Sequence, residues 1–178
     1  MNETKDFRVN YAFEYKYYDV TPVSTSSVLG FSVKQGFASS SLGAVSQQGK
    51  VFSYQLTLKN NKPFIPPPVM PLANGTVARG IITTGGLGMT VAILRVPSCL
   101  TIDFNYLTAL RNNRLIDYYE VLNSNSEIAF YWRQMQGNQT INLNVNLIQT
   151  FSGSCTQKPH TAYPYYNNDQ PVWVLAKQ

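Results

Sequence analysis

The chain has 178 residues, a length that suits one well-buried core or one domain with part of a second. Charged residues make up only 13% of it, where about 25% is typical, and aromatic residues also reach 13%. Aromatic side chains favour strands, so composition already indicates a β-rich protein. The 14 basic residues outnumber the 9 acidic ones but are scattered, which argues against a nucleic-acid-binding surface.

Alternation of polar and apolar residues predicts strands in the first third of the chain. Residues 11–18 place an aromatic row on one face, and residues 30–37 and 50–60 predict two further strands. Residues 21–27, rich in Ser and Thr, have the composition of a linker. Residues 62–71 contain five prolines, which cannot donate ladder hydrogen bonds, so this segment is expected to be a loop or a sheet edge.

A short helix is predicted after the next strand. Asp103 suits the N-cap position, and Asn112-Asn113 is expected to end the helix. Apolar side chains recur at the spacing of one helix face, at Phe104, Leu107 and Leu110. Arg111 and Arg114 would lie at the C-terminal end, where cations complement the helix dipole.

The central and closing segments again have strand character. Residues 89–96 are nearly continuous in apolar residues and predict a strand buried on both faces, at the centre of the core. Residues 140–149 alternate so regularly that a shift of one position would bury three asparagines, which specifies their register strongly. Further strands are predicted at residues 116–122, 127–134, 162–166 and 172–175. The fold class is therefore all-β, an antiparallel β-sandwich of about eight strands with one short helix.

No set of residues points to catalysis. His160 is the only histidine, which leaves too few ligands for a zinc or copper site, and it is expected in a loop before the final strand. No strained nucleophile turn surrounds Cys155 or its neighbouring serines. Asp117 and Glu120, three residues apart on a strand, are expected on opposite faces. We therefore predict a non-catalytic protein without cofactor or metal.

Tyrosine-rich segments at residues 15–18 and 163–166 have two interpretations. They could be stacking platforms for sugars or bases. Because successive strand residues alternate between faces, about half of these rings are expected in the core, and the structural interpretation is favoured.

Several features are typical of an extracellular glycoprotein. Glycosylation sequons occur at three positions, Asn2, Asn74 and Asn138. The chain has two cysteines, Cys99 and Cys155, compatible with one disulfide in an oxidising compartment or with two buried thiols. Residues 1–7 lack the apolar core of a signal peptide, and no apolar run is long enough to span a membrane. We expect a secreted protein, with this chain as a fragment.

The order of five motifs resembles a known domain. They are residues 88–93 (Gly-Met-Thr-Val-Ala-Ile), 96–98 (Val-Pro-Ser) before the helix, 117–121 (Asp-Tyr-Tyr-Glu-Val), 130–133 (Phe-Tyr-Trp-Arg) and 162–166 (Ala-Tyr-Pro-Tyr-Tyr). This order resembles the C-terminal receptor-binding, macroglobulin-type domain of the α-2-macroglobulin family. The resemblance implies a macroglobulin- or immunoglobulin-like sandwich over residues 28–178. Residues 1–27 would then be the last strand and linker of a preceding CUB-like domain.

The resemblance implies a role in recognition for a secreted protease-inhibitor family. In that family the domain docks to an endocytic receptor or packs against other domains of the same trap protein, and proteases are engaged only through upstream domains. Two receptor-binding lysines of the family fall at Phe104 and Thr108, so neither lysine is present. Arg111 and Arg114 are the nearby cations that could replace them, or they could serve only the helix dipole.

The resemblance also favours a disulfide between Cys99 and Cys155, because it places both in loops at one end of the sandwich. A second function remains open from the sequence: a structural or adhesive extracellular β-sandwich that uses tyrosine-rich edges and glycan-bearing loops for contacts.

Overall fold

In a computed structural model of the chain, the structure describes residues 24, 26–37, 50–66, 69–71, 77–79, 85–151 and 156–177. Within them lie eleven strands and one helix: β1 (Leu29–Phe37), β2 (Val51–Asn60), β3 (Val69–Pro71), β4 (Val77–Arg79), β5 (Thr90–Arg95), β6 (Leu100–Ile102), α1 (Phe104–Asn112), β7 (Tyr118–Leu122), β8 (Glu127–Trp132), β9 (Thr140–Gln149), β10 (His160–Pro164) and β11 (Val172–Val174). The predicted strand at residues 11–18 and most of residues 1–27 lie outside this part of the chain, so that strand and a domain boundary after residue 27 stay predictions.

The strands form a β-sandwich, as predicted. A four-stranded sheet has the order β1-β2-β9-β6, and a five-stranded sheet has the order β11-β10-β5-β8-β7, with antiparallel pairing throughout. β3 and β4 form a separate two-stranded sheet, consistent with a proline-rich segment at a sheet edge. These two strands and β6, each of three residues, were not predicted from the sequence.

The core lies between the two sheets and follows the predicted alternation. On β2 the buried side chains are Tyr54, Leu56 and Leu58, and Leu56 pairs with the buried Leu143 of β9. β5 is the middle strand of its sheet, which explains its nearly continuous apolar sequence. Each fully buried leucine stabilises the fold by roughly 1.5 to 3 kcal/mol, so a shift in register would be costly.

Helix α1 connects an edge strand of one sheet, β6, to an edge strand of the other, β7. Its buried residues are Leu107 and Leu110, whereas Phe104 is 48% exposed. The predicted apolar face is therefore confirmed for Leu107 and Leu110, whereas the prediction for Phe104 was wrong. Trp132 of β8 donates from Nε1 to the carbonyl of Leu115 at 2.9 Å and holds the chain that leaves the helix.

At the other edge of the four-stranded sheet, β1 forms backbone hydrogen bonds with Lys177. Lys177 forms an isolated parallel bridge with Lys34 of β1. Its amide donates to the carbonyl of Val33 at 3.0 Å, and its carbonyl accepts from the amide of Gln35 at 2.7 Å. The edge strand β1 therefore has part of its backbone paired, which reduces the surface open to other strands.

A buried asparagine joins the loops at one end of the sandwich. The side chain of Asn60 is fully buried and donates from Nδ2 to the carbonyls of Gly85 at 2.9 Å and Gln136 at 2.8 Å. Its Oδ1 accepts from the amide of Lys62 at 3.0 Å. Gly85 has φ +92°, and a Cβ there would lie 2.0 Å from the carbonyl oxygen of Pro63, so only glycine fits.

Candidate functional site

The exposed face of α1 carries two of the predicted recognition residues. The helix begins as predicted, with Asp103 Oδ1 accepting from the amide of Tyr106 at 3.1 Å. Phe104 and Thr108 are both exposed and lie four residues apart, hence on the same face. Thr108 Oγ1 donates to the carbonyl of Phe104 at 2.9 Å and lies 3.4 Å from the hydroxyl of Tyr119. This face presents an aromatic ring and a hydroxyl.

The helix ends at the predicted asparagines in a Schellman motif. Arg114 follows the C-cap Asn113 and has φ +57°, the left-handed conformation that usually requires glycine. Its amide donates to the carbonyl of Arg111, and the amide of Leu115 donates to the carbonyl of Leu110, both at 3.0 Å. Arg111 is thus in the last turn, whereas Arg114 lies just beyond the helix.

Arg111 extends towards a groove beside the helix. Its guanidinium carbon lies 5.7 Å from the ring centre of Tyr118, a cation–π contact. The groove has a volume of about 560 Å³, and we call it the tyrosine groove. The described residues that line it are Met89, Arg111, Asp117, Tyr118, Glu120, Tyr131, Arg133, Tyr165 and Tyr166. They come from the helix end, from β7 and β8, and from the segments next to β5 and β10.

Both acidic residues of the groove accept hydrogen bonds within it. The hydroxyl of Tyr131 donates to Glu120 Oε2 at 2.8 Å, and the amide of Arg133 donates to Asp117 Oδ2 at 2.7 Å. Burial, followed by the contact with Glu120, raises the pKa of Tyr131 above its ordinary value. The prediction that Asp117 and Glu120 lie on opposite faces was wrong, because Asp117 precedes the first residue of β7 and does not follow the strand alternation.

The arginines and tyrosines at the groove are accessible. Among the described residues, neither Arg111 nor Arg133 forms an ion pair. Tyr165 and Tyr166 are 48% and 78% exposed, and their rings meet edge to face at 5.3 Å. About half of the tyrosines in residues 163–166 were expected in the core, but Tyr165 and Tyr166 are both exposed, because they follow the end of β10 at Pro164.

The sequence alone did not single out Arg133 as a groove residue. Tyr118 lies directly opposite Tyr131 across β7 and β8, and Tyr131 lies opposite Val91 of β5. Only this register places the motifs around β7, β8 and β10 next to one another. The tyrosines in the segments of β7 and β8 were the one sequence signal for this contact, and their presence does not specify which residues pair.

His160 is a buried strand residue, so its prediction as a loop residue was wrong. It is the first residue of β10 and is 1% exposed. Its Nδ1 accepts from the amide of Arg95 at 3.1 Å, and burial together with the Arg95 charge lowers the pKa of His160 to about 4. The described part of the chain contains no group of three His, Cys, Asp or Glu residues that could hold a metal ion.

The predicted disulfide and glycosylation sites are only partly described. Cys99 is fully buried, and its carbonyl accepts from both the amide and Oγ1 of Thr150, at 2.9 and 3.0 Å. Cys155, five residues after Thr150, lies outside the described residues, as do Asn2 and Asn74. Asn138 is exposed in the turn before β9. The disulfide and the glycans therefore stay predictions.

Comparison with known proteins does not assign this chain to a family. No family model matches it, and no curated protein matches it. Within the described residues, no helix has both the length and the apolar character needed to cross a membrane. The resemblance to a macroglobulin-type domain accordingly rests on the order of the sequence motifs.

Proposed function

We propose that residues 28–178 are a non-catalytic, C-terminal macroglobulin-type domain of an α-macroglobulin-like secreted protein, serving recognition by a receptor or by other domains of the same protein. The observation that carries this proposal is the position of α1, which lies between the edge strands of a four-stranded and a five-stranded sheet with one face exposed. That arrangement agrees with the motif order of strand, proline exit, helix and closing strands.

The exposed part of α1 has the chemistry of a recognition surface. Phe104 offers an accessible aromatic ring, and aromatic residues are enriched at protein interfaces. Arg111 and Arg114 add positive charge at the helix end, although neither occupies the position of a family lysine. Such cations at the rim of an interface influence association through long-range attraction, which added salt screens.

The environment of His160 supports a non-catalytic role. A general base must reach a substrate, but His160 is 1% exposed and accepts a backbone hydrogen bond through Nδ1. The neighbouring aromatic ring is Tyr54, at a centroid distance of 6.0 Å, and it is itself fully buried. Burial also lowers the pKa of His160, so the imidazole is neutral near pH 7.

Binding to a receptor can be tested with immobilised, calcium-loaded ligand-binding repeats of the low-density-lipoprotein-receptor type. We expect salt-sensitive binding that weakens roughly fivefold in Arg111→Ala, the upper range for an exposed charge pair. Phe104→Ala should weaken it without changing the salt dependence. Lys34→Ala is the matched control, since Lys34 is an exposed cation on β1, the edge of the four-stranded sheet farthest from β6.

Recognition within the parent protein requires a separate experiment. Chemical cross-linking of the full-length protein, followed by mass spectrometry, should join residues near α1 to other domains. Absence of both receptor binding and such cross-links would contradict the proposal.

The alternative, a structural or adhesive module, is favoured by one observation: the exposed pair Tyr165 and Tyr166 at the end of β10. It predicts self-association that Tyr166→Ala abolishes, measured by sedimentation velocity over a range of concentrations. Concentration-dependent association that is lost in this variant but kept in Arg111→Ala would favour the adhesive function.

A further inference from the structure

Apart from Arg111, the residues that line the tyrosine groove are not part of the recognition surface proposed for α1. The groove's volume of about 560 Å³ falls within the range of small-molecule sites, and its lining mixes aromatic rings with a few charged groups. We propose that the tyrosine groove binds an acidic saccharide, whose ring packs on the exposed tyrosines and whose carboxylate pairs with Arg133.

The aromatic part of the groove suits a sugar ring. Tyr166 is 78% exposed and Tyr165 is 48% exposed, so both present ring surface beyond their mutual edge-to-face contact. Tyrosine combines an apolar ring with a hydroxyl, which matches a ligand that has apolar C–H faces and polar edges. Tyr118 is 47% exposed, and the guanidinium carbon of Arg111 lies 5.7 Å from its ring centre.

The charged part of the groove suits a ligand that carries an anionic group as well as hydroxyl groups that donate hydrogen bonds. Glu120 uses Oε2 for Tyr131, and Asp117 uses Oδ2 for the amide of Arg133, which leaves one oxygen of each carboxylate to accept from a sugar hydroxyl. The guanidinium of Arg133 forms no ion pair with the described residues and can bind a carboxylate through two parallel hydrogen bonds.

Other ligand classes fit this lining less well. A peptide rich in aspartate or glutamate would bring several negative charges close to Asp117 and Glu120, whereas a saccharide with one carboxylate brings one, and a cation would be repelled by Arg111 and Arg133. A neutral sugar would leave the two guanidiniums without an anionic partner. An acidic saccharide, either free or attached to a glycoprotein, offers a carboxylate to the guanidiniums and hydroxyl donors to the carboxylates.

Isothermal titration calorimetry with four probes tests the proposal: 3′-sialyllactose, a glucuronic-acid-containing disaccharide, neutral lactose and a hexaglutamate peptide. We expect at least one of the two acidic saccharides to bind more tightly than lactose and hexaglutamate. Arg133→Ala should weaken that binding on the order of tenfold or more, the range expected for a charge-assisted hydrogen-bonded pair. Arg133→Lys should lose part of the affinity, because lysine keeps the charge without the planar fork.

Tyr166→Ala tests the stacking contribution and should weaken binding of the same probe, while Arg114→Gly, outside the groove, should leave it unchanged. Thermal unfolding of each variant separates loss of the site from loss of the fold. The proposal is overturned if neither acidic saccharide binds, if lactose binds equally well, if hexaglutamate is preferred, or if folded Arg133→Ala retains full affinity.

This inference does not rest on the proposed function, and different variants test the two proposals. Phe104→Ala and Thr108→Ala affect the α1 face and should leave saccharide binding intact. Arg133→Ala should leave binding to the receptor repeats intact, since Arg133 is not on the helix.

Discussion

Acidification should destabilise this protein through His160. The imidazole is 1% exposed, its Nδ1 accepts from the amide of Arg95, and its Nε2 has no hydrogen-bond partner among the described residues. Proton uptake at Nδ1 would break this backbone hydrogen bond and place a positive charge in a buried site close to the Arg95 guanidinium. Both effects disfavour the charged form in the folded state.

The size of the effect follows from the difference between the pKa of His160 in the unfolded chain and its pKa in the folded protein. The pKa of His160 is lowered from the ordinary 6.5 to about 4 in the folded protein. Between these values the unfolded chain binds a proton that the folded chain does not, so stability falls as pH decreases. The contribution is fully present above pH 6.5 and is lost progressively down to about pH 4, and it amounts to about 3 kcal/mol at 1.36 kcal/mol per pKa unit.

Urea denaturation followed by tryptophan fluorescence, at intervals between pH 7.5 and 4, measures this loss. His160→Asn is the matched variant, because its amide oxygen can accept from the amide of Arg95 and it does not titrate. The variant is expected to be less stable at pH 7 but to lose less stability on acidification than the wild type. Carboxylates titrate in both proteins, so the difference between the two pH profiles isolates His160.

Two results would refute this reasoning. One is a pH profile for His160→Asn that is parallel to that of the wild type. The other is a nuclear magnetic resonance titration of the folded protein in which the imidazole changes protonation near pH 6.5.

Three further predictions concern stability. Arg114→Gly should raise the unfolding free energy by about 1 kcal/mol in a urea titration, because glycine adopts the left-handed conformation at this position without strain; an unchanged or lower value would contradict it. Asn60→Ala should lower the unfolding free energy by about 2 to 4 kcal/mol, since it leaves several buried backbone groups without partners, and a loss below 1 kcal/mol would count against the loop-joining role. Non-reducing mass spectrometry should find Cys99 joined to Cys155, and reduction should lower stability by about 4 kcal/mol for this loop length, whereas two free thiols would disprove the bond.

The elements that the sequence predicted well are those set by local interactions. The alternation in residues 50–60 and 140–149 identified two strands and their inward faces, because period-2 burial is readable in the order of residues alone. The start of α1 was equally clear, since an N-cap aspartate satisfies free amides within its own first turn. Its end was predicted at Asn112-Asn113, although the Schellman motif at Arg114 was not, because arginine is not a usual left-handed residue.

The candidate site depended on contacts between distant parts of the chain. The tyrosine groove unites residues from Met89 to Tyr166, and strand register decides which of them meet. Asn60 looked like the last residue of a strand, yet its side chain bonds to Gln136, 76 positions away. The apolar pattern by itself determined an all-β protein with one helix and the sides of β2, β8 and β9 that face the core. Only the tertiary structure decided that His160 is buried and that Asp117, Glu120 and Arg133 share a groove, because burial and pairing are properties of the packed sheets and not of any single segment.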